Sequence, residues 1–220
     1  MHTEKSQGLL LQAIPYLGSS RILKIFTKED GLICLFTKKK NLGSLLSPFC
    51  IGEWIYQKKQ GDMYTLKDAS LLDPLLPLRD SFTSLSCAGI MAQEILKFQL
   101  PNQTTQNLYE LICSYFRQIH RFPNSDILSL SFRLKLLLYE GLLSIKNGCS
   151  ICSAPGHYLY EGENFCSTHS SPQSILLTPL EWDQFYLLIF AQKFSLLQQI
   201  EVSSSLTQKI DLFLRRLCDN

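Results

Sequence analysis

"SRILKIFTKEDGLICLFTKK", residues 20–39, holds two runs of β-branched and aromatic residues on either side of Asp30-Gly31. A tight hairpin needs a positive φ, which glycine adopts without strain, so the stretch reads as two antiparallel strands joined at Gly31. Its second run, "LICLF", is apolar at successive positions. An open sheet wets one face. A strand that is apolar on both faces belongs in a small closed barrel.

Three more runs complete the barrel: "GLLLQAIPY" before the hairpin, then "FCIGEWIYQKK" and "DMYTLKDASLL" after it. All are rich in Ile, Leu, Phe and Tyr and are bounded by Gly, Pro, Ser or Asp. The pattern changes at "LLDPLLPLRD", where Pro74 and Pro77 punctuate a boundary. Helical spacing follows. Phe82, Leu85, Ala88, Ala92 and Ile95 recur at three or four residues, as do Leu108, Leu111, Ile112, Tyr115 and Ile119. "DILSLSFRLKLLLYEGLL" is apolar nearly all round, as a central buried helix would be. Thr178-Pro179-Leu180-Glu181 is a capping box with proline at the first helical position, and predicts a helix through about Gln199. A cap at Ser203–Ser205 starts a last helix bearing Leu206, Ile210, Phe213 and Leu217. The expected class is α+β: a five-stranded barrel over residues 1–76, then an all-α domain over residues 77–220 with a Cys/His insert at 148–170.

Composition agrees with a globular chain. Of 220 residues, 45% are apolar and 18% charged. There is no signal-peptide pattern, because Glu4 lies near the start and Gln12 breaks the first apolar run, and no run approaches the ~20 residues of a membrane span. The chain is expected in the cytoplasm. There, eight cysteines do not form a disulfide framework. Cys34, Cys50, Cys87 and Cys113 sit in apolar stretches and read as core fillers.

Cys218, near the C-terminus, is read as incidental, and the three remaining cysteines carry chemistry. Cys149 and Cys152 form one pair, and Cys166 and His169 a second, across a thirteen-residue loop. A two-residue gap lets both members of a pair turn onto one ion, and the loop brings in the second pair. The set therefore predicts one structural Zn²⁺ per chain. His157 is an alternative fourth ligand with a less regular spacing. Two other readings of these residues remain: buried filler thiols with an exposed His169, or a redox CxxC. The redox reading needs the pair at a helix N-terminus, whereas Cys149 follows Gly148. A catalytic zinc would keep an open position and a general base, and the His-x-Glu and Pro-Cys-x-x-Cys pattern of nucleobase deaminases is absent. No GxSxG, GxxxxGK[ST], HExxH or GxGxxG occurs, so no enzyme activity is expected.

Function is then sought in charge. Residues 1–80 carry eleven Lys/Arg against eight Asp/Glu, while the remainder carries ten against eleven. The surplus lies at Arg21, Lys24, Lys28, Lys38, Lys39, Lys40, Lys58 and Lys59, at strands and strand ends. Such ammonium groups neutralise phosphates and release counterions. Pairing with carboxylates would remove them from that role. Trp54 and Tyr56 alternate with Ile51 and Ile55, and either stack on bases beside Lys58 or fill the barrel. Phe26 and Phe36 are assigned to the core.

The ordered set of segments resembles the RecO family of recombination mediators. "GLLLQAIPYLGSSRILKIFTKEDGLICLFTKKK" resembles that family's opening strand, hairpin and basic segment, and "LLSPF" its approach to the fourth strand. "LKDASLLDPLLPLRDSFTSLSCAGIMAQEIL" resembles its passage into the helical domain, and "FRLKLLLYEGLL" with "CSIC" its helix into the zinc module. The resemblance implies that the barrel is an OB-fold binding single- and double-stranded DNA. It implies annealing of complementary strands, cooperation with RecR in loading RecA, and a grip on the C-terminal tail of single-strand binding protein. It also implies a nucleoid-associated location. Arg21, Lys24, Lys38, Lys39 and Lys40 match the family's basic surface, whereas His169 stands where many members have Cys. The reading from another class is a helical protein-binding adaptor with a structural zinc and no direct DNA role.

Overall fold

A computed structural model describes residues 3–38, 43, 47–58, 61, 63–103 and 106–219. The chain divides into two compact units, Met1–Arg121 and Phe122–Asn220.

The first unit is built on a closed barrel of β1 (Thr3–Tyr16), β2 (Ser20–Thr27), β3 (Gly31–Thr37), β4 (Ile51–Gln57) and β5 (Met63–Asp73), in the order β1-β2-β3-β5-β4. The Asp30-Gly31 hairpin forms as expected. Thr27 pairs with Gly31, and Gly31 has φ +64°. Glycine is required there twice over, because a Cβ would lie 1.9 Å from the Gln103 carbonyl oxygen. Closure explains the doubly apolar strands. Leu10, Leu23, Ile25, Ile33, Leu35, Trp54, Tyr56, Tyr64 and Leu66 fill the interior. Ala13, opposite Leu23, packs on the same core.

Trp54 and Tyr56 are wholly buried. The Trp54 indole N–H donates to the Gly8 carbonyl at 2.9 Å, and Tyr56 stacks on Tyr64. Of the two roles open to these rings, the structure gives them the core. The placement of Phe36 in the core is corrected. It alternates with Ile33 and Leu35 onto the outer surface and is only half-buried, as is Cys34. Cys50, Cys87 and Cys113 are buried, and burial pushes the Cys50 and Cys113 thiols up to about 11.

Two helices complete the first unit, α1 (Phe82–Phe98) and α2 (Gln106–Gln118). Both occur where helical spacing predicts them, but the buried face of α1 is turned. Ser84, Cys87, Ala88, Met91, Ala92 and Ile95 face inward, while Phe82 is 87% exposed. The link between the helices lies along the barrel: Asn102 N–H donates to the Leu32 carbonyl at 3.0 Å, and Tyr64 Oη to Asn102 Oδ1 at 2.9 Å. This tie groups α1 and α2 with the barrel, beyond the change of pattern at Pro74 and Pro77.

The second unit holds α3 (Ser125–Tyr139), a small sheet of β6 (Tyr158–Tyr160), β7 (Glu163–Phe165) and β8 (Ile175–Leu176), then α4 (Pro179–Phe190), α5 (Phe194–Leu197) and α6 (Ser204–Asp219). The apolar helix α3 is central. Phe132, Leu134 and Leu136 are fully buried, and Ser131 Oγ donates to the Leu188 carbonyl at 2.6 Å. The Thr178–Glu181 capping box is present in full. The helix it opens stops at Phe190 rather than near Gln199. Ala191 leaves helical geometry, and the Lys135 ammonium donates to its carbonyl, so a residue distant in sequence holds the turn.

Candidate metal centre and nucleic-acid face

The metal centre is shaped first by backbone. Cys149 N–H donates to the Ala154 carbonyl at 2.7 Å and Ser153 N–H to the Cys149 carbonyl at 2.9 Å, folding the first pair into a tight knuckle. A Cβ at Gly148 would come within 2.4 Å of the Ser153 carbonyl oxygen, so only glycine fits. The knuckle is held from behind by Asn164, which is 0% exposed. Its amide nitrogen donates to the carbonyls of Lys146, Gly148 and Gly156, and its oxygen accepts from Lys146 N–H at 2.9 Å. The same residue's carbonyl accepts from Ser150 N–H. Nothing in the sequence marks Asn164, since one polar residue within a three-residue strand has no periodicity to betray it.

The four expected ligands come together. The Sγ atoms of Cys149, Cys152 and Cys166 and a ring nitrogen of His169 all lie within 4.8 Å of one another. Cys152 Sγ is 3.7 Å from Cys166 Sγ. His169 Nδ1 is 3.6 Å from Cys149 Sγ and 3.3 Å from Cys166 Sγ. A tetrahedral ion with thiolate bonds of ~2.3 Å and an imidazole bond of ~2.0 Å has edges of about 3.8 and 3.5 Å. The donor set fits such an ion. His157, the alternative ligand, instead stacks on Trp182 with centroids 5.4 Å apart.

The electrostatics suit a cation. Burial would raise the Cys149 thiol, but the N–H groups of Cys152, Cys166 and Ile151 and the His169 ring outweigh it and pull it down to about 6. At Cys152 the Ala154 N–H pulls the thiol down, yet burial and the neighbouring Cys166 and Cys149 push it up. At Cys166 the Thr168 hydroxyl and the N–H groups of His169 and Thr168 outweigh burial and pull the thiol down, so the pocket favours two thiolates and resists the third.

On the barrel, the predicted cations do not form one set. Lys28 pairs with Glu110 at 3.1 Å and Lys58 with Asp30 at 2.6 Å. Asp30 also accepts from the Tyr56 hydroxyl, so Lys58 is part of a structural cluster. Arg21 shares the inward row with Leu23 and Ile25, at the end of the barrel. Lys24 lies on the outer row, opposite Gln12 and Cys34, and Lys38 is exposed just past Phe36. Among the described residues, Arg21, Lys24 and Lys38 make no ion pair. Lys39, Lys40 and Lys59 lie outside the described residues. Lys67, a lone cation that no cluster in the sequence marks, is exposed at a bulge in β5 and makes no ion pair among the described residues.

Two family models match the chain in succession, the first over the barrel and the second over the helices and the knuckle. Residues 1–75 match "Recombination protein O N terminal" and residues 79–220 match "Recombination protein O C terminal". The chain belongs to the RecO family. It is similar to the DNA repair protein RecO of Chlamydia pneumoniae, with 26% identity covering 92% of this chain and 84% of that protein. The RecO of Chlamydia trachomatis serovar D is 29% identical over 85% of this chain and 80% of its own length. That of Anaeromyxobacter dehalogenans strain 2CP-1 is 26% identical over 70% and 63%. Among the described residues, no helix is long and apolar enough to cross a membrane.

Proposed function

We propose that the chain is a non-enzymatic recombination mediator. Its barrel binds single- and double-stranded DNA through phosphate contacts and anneals complementary strands. Family membership supports this reading, and one observation carries it: Lys24 on the outer row of β2 and exposed Lys38 just past the end of β3 have no carboxylate partner among the described residues. Arg21, at the end of the barrel, is a further cation without an ion pair among the described residues. Annealing needs no covalent step. Neutralising two polyanions lowers their repulsion and lets bases pair. Lys28 and Lys58 are secondary. Exposed ion pairs such as Lys28–Glu110 contribute little and exchange readily for phosphate, whereas Lys58 is held by Asp30.

The metal is zinc, held by Cys149, Cys152, Cys166 and His169. Its chemistry is structural: it neutralises the thiolates and fixes the knuckle between α3 and α4. The partners follow from the family: RecR, the C-terminal tail of single-strand binding protein, and RecA indirectly.

Annealing of complementary oligonucleotides over a salt series tests the proposal. The wild-type chain accelerates annealing at low salt and loses that effect as salt rises. Replacing both Lys24 and Lys38 by Ala weakens DNA binding and flattens the log–log salt slope by roughly 0.7–0.9 per lysine. An unchanged slope would remove these residues from the interface.

A further inference from the structure

The outer surface that carries Lys24 and Lys38 is not uniformly polar. Register places Ile14, Ile22 and Phe36 opposite one another across β1, β2 and β3. Tyr16, one step further along β1, is 47% exposed, and its ring lies 6.1 Å from that of Phe36 at an interplanar angle of 88°. An edge-to-face pair covers only one of its ring faces, so aromatic surface remains for a ligand. Leu17, in the turn between β1 and β2, is 78% exposed beside it.

Core filling does not account for these rings. The barrel interior is already packed by Trp54 and Tyr56, both 0% exposed. Lys24 is one register step from Ile22 on β2, and exposed Lys38 follows the end of β3 two residues past Phe36, so cations flank the aromatic pair. Rings with unpaired ammonium groups beside them complement a polyanion that also offers flat apolar faces. In a duplex the base faces are stacked on one another. In a single strand they are free. Small barrels of this topology present the surface of strands 2 and 3 and the β1–β2 loop to oligonucleotides.

We infer that Tyr16 and Phe36 form a stacking platform for the unpaired bases of single-stranded nucleic acid, flanked by Lys24 and Lys38 as phosphate contacts. This rests on the DNA-binding reading above and adds a division of labour. The lysines hold either form of DNA, and the rings hold single strands only.

Tyr16→Ala and Phe36→Leu test it, the leucine keeping apolar cover where Phe36 is half-buried. Binding of a labelled oligonucleotide, single-stranded or annealed to its complement, is measured by anisotropy at fixed salt. Each substitution is expected to weaken single-strand binding about tenfold and to leave duplex binding within about twofold. An oligonucleotide containing iodouracil is expected to photocrosslink to Tyr16 or Phe36. Unchanged binding of both DNA forms would overturn the platform while leaving the lysine interface standing. Equal loss for both forms would overturn it too, by assigning the rings to the fold. Failure of the wild-type chain to bind either form would sink the DNA-binding reading, and the platform with it.

Discussion

At the Cys/His knuckle four side chains converge to within 4.8 Å, and buried Asn164 ties down the backbone around them. On the outer surface of the barrel, Lys24 and Lys38 stand apart and meet no carboxylate among the described residues. The difference is energetic. Converging thiols repel one another as they ionise, so a cation held among them would stabilise the knuckle and couple its filling to folding. Separated surface ammonium groups are hydrated and cost the fold little. Their charge is available to a ligand.

The sharpest way to break this contrast is to take the metal away. Chelation, or Cys149→Ser, is expected to destabilise the second unit by about 3 kcal/mol or more. Metal analysis of the untreated chain is expected to find one zinc. A melt followed by circular dichroism should lose the transition of residues 122–220, while duplex binding by the barrel persists at low salt. Duplex binding that fell in step with metal loss would mean that the knuckle contributes to the interface directly, and the contrast would fail.

How far the sequence revealed these two regions depends on what kind of signal each carries. The hairpin at Gly31, the doubly apolar strands and the capping box at Thr178 are local rules, and each is realised. The four metal ligands are also local, because their spacing encodes the geometry. What stayed hidden is tertiary. Whether an alternating aromatic points into or out of a barrel depends on closure, so Phe36 and Trp54 could not be sorted by alternation alone. Phe82 and Leu85 fit a helical stripe, yet the buried stripe of α1 runs through Ser84, Cys87 and Met91 because that side meets the rest of its unit. The end of α4 depends on Lys135, and β6 to β8 are too short for periodicity to show. Pairing of Lys28 with Glu110 and of Lys58 with Asp30 links residues that no pattern connects.

A second test asks whether convergence of polar groups stabilises the second unit away from the metal. Glu181 is 7% exposed and accepts from Lys209 Nζ at 2.7 Å, from Ser205 Oγ at 3.0 Å and from Thr178 N–H at 2.8 Å. Burial would raise its carboxyl. Lys209, the Thr178 N–H and Ser205 outweigh burial and hold it at about 2, against an ordinary 4.5. A depressed carboxyl gives stability that is full above its unfolded value and is lost as pH falls through its folded one. The contribution, about 1–3 kcal/mol, is therefore present at neutral pH and lost between pH 4.5 and 2. Glu181→Gln keeps an acceptor for the capping box but removes the charge. Urea unfolding should show the variant weaker than wild type at pH 7, with the gap narrowing below pH 4.5 and closing only near pH 2. A gap that stayed constant would make Glu181 a helix cap only.

The smallest effect is expected on the barrel. Lys24→Ala and Lys38→Ala remove charges that support no ion pair among the described residues, so each should change stability by no more than about 0.5 kcal/mol in urea unfolding. That near-silence matters because the same substitutions are expected to cost DNA affinity and flatten its salt dependence. An interface residue separates the two measurements, whereas a residue of the fold moves both. If Lys24→Ala lowered stability by as much as Glu181→Gln does, its ammonium would be serving the barrel. Polar groups would then serve the fold in both units, and the search for the phosphate contacts would move to Arg21 and Lys67.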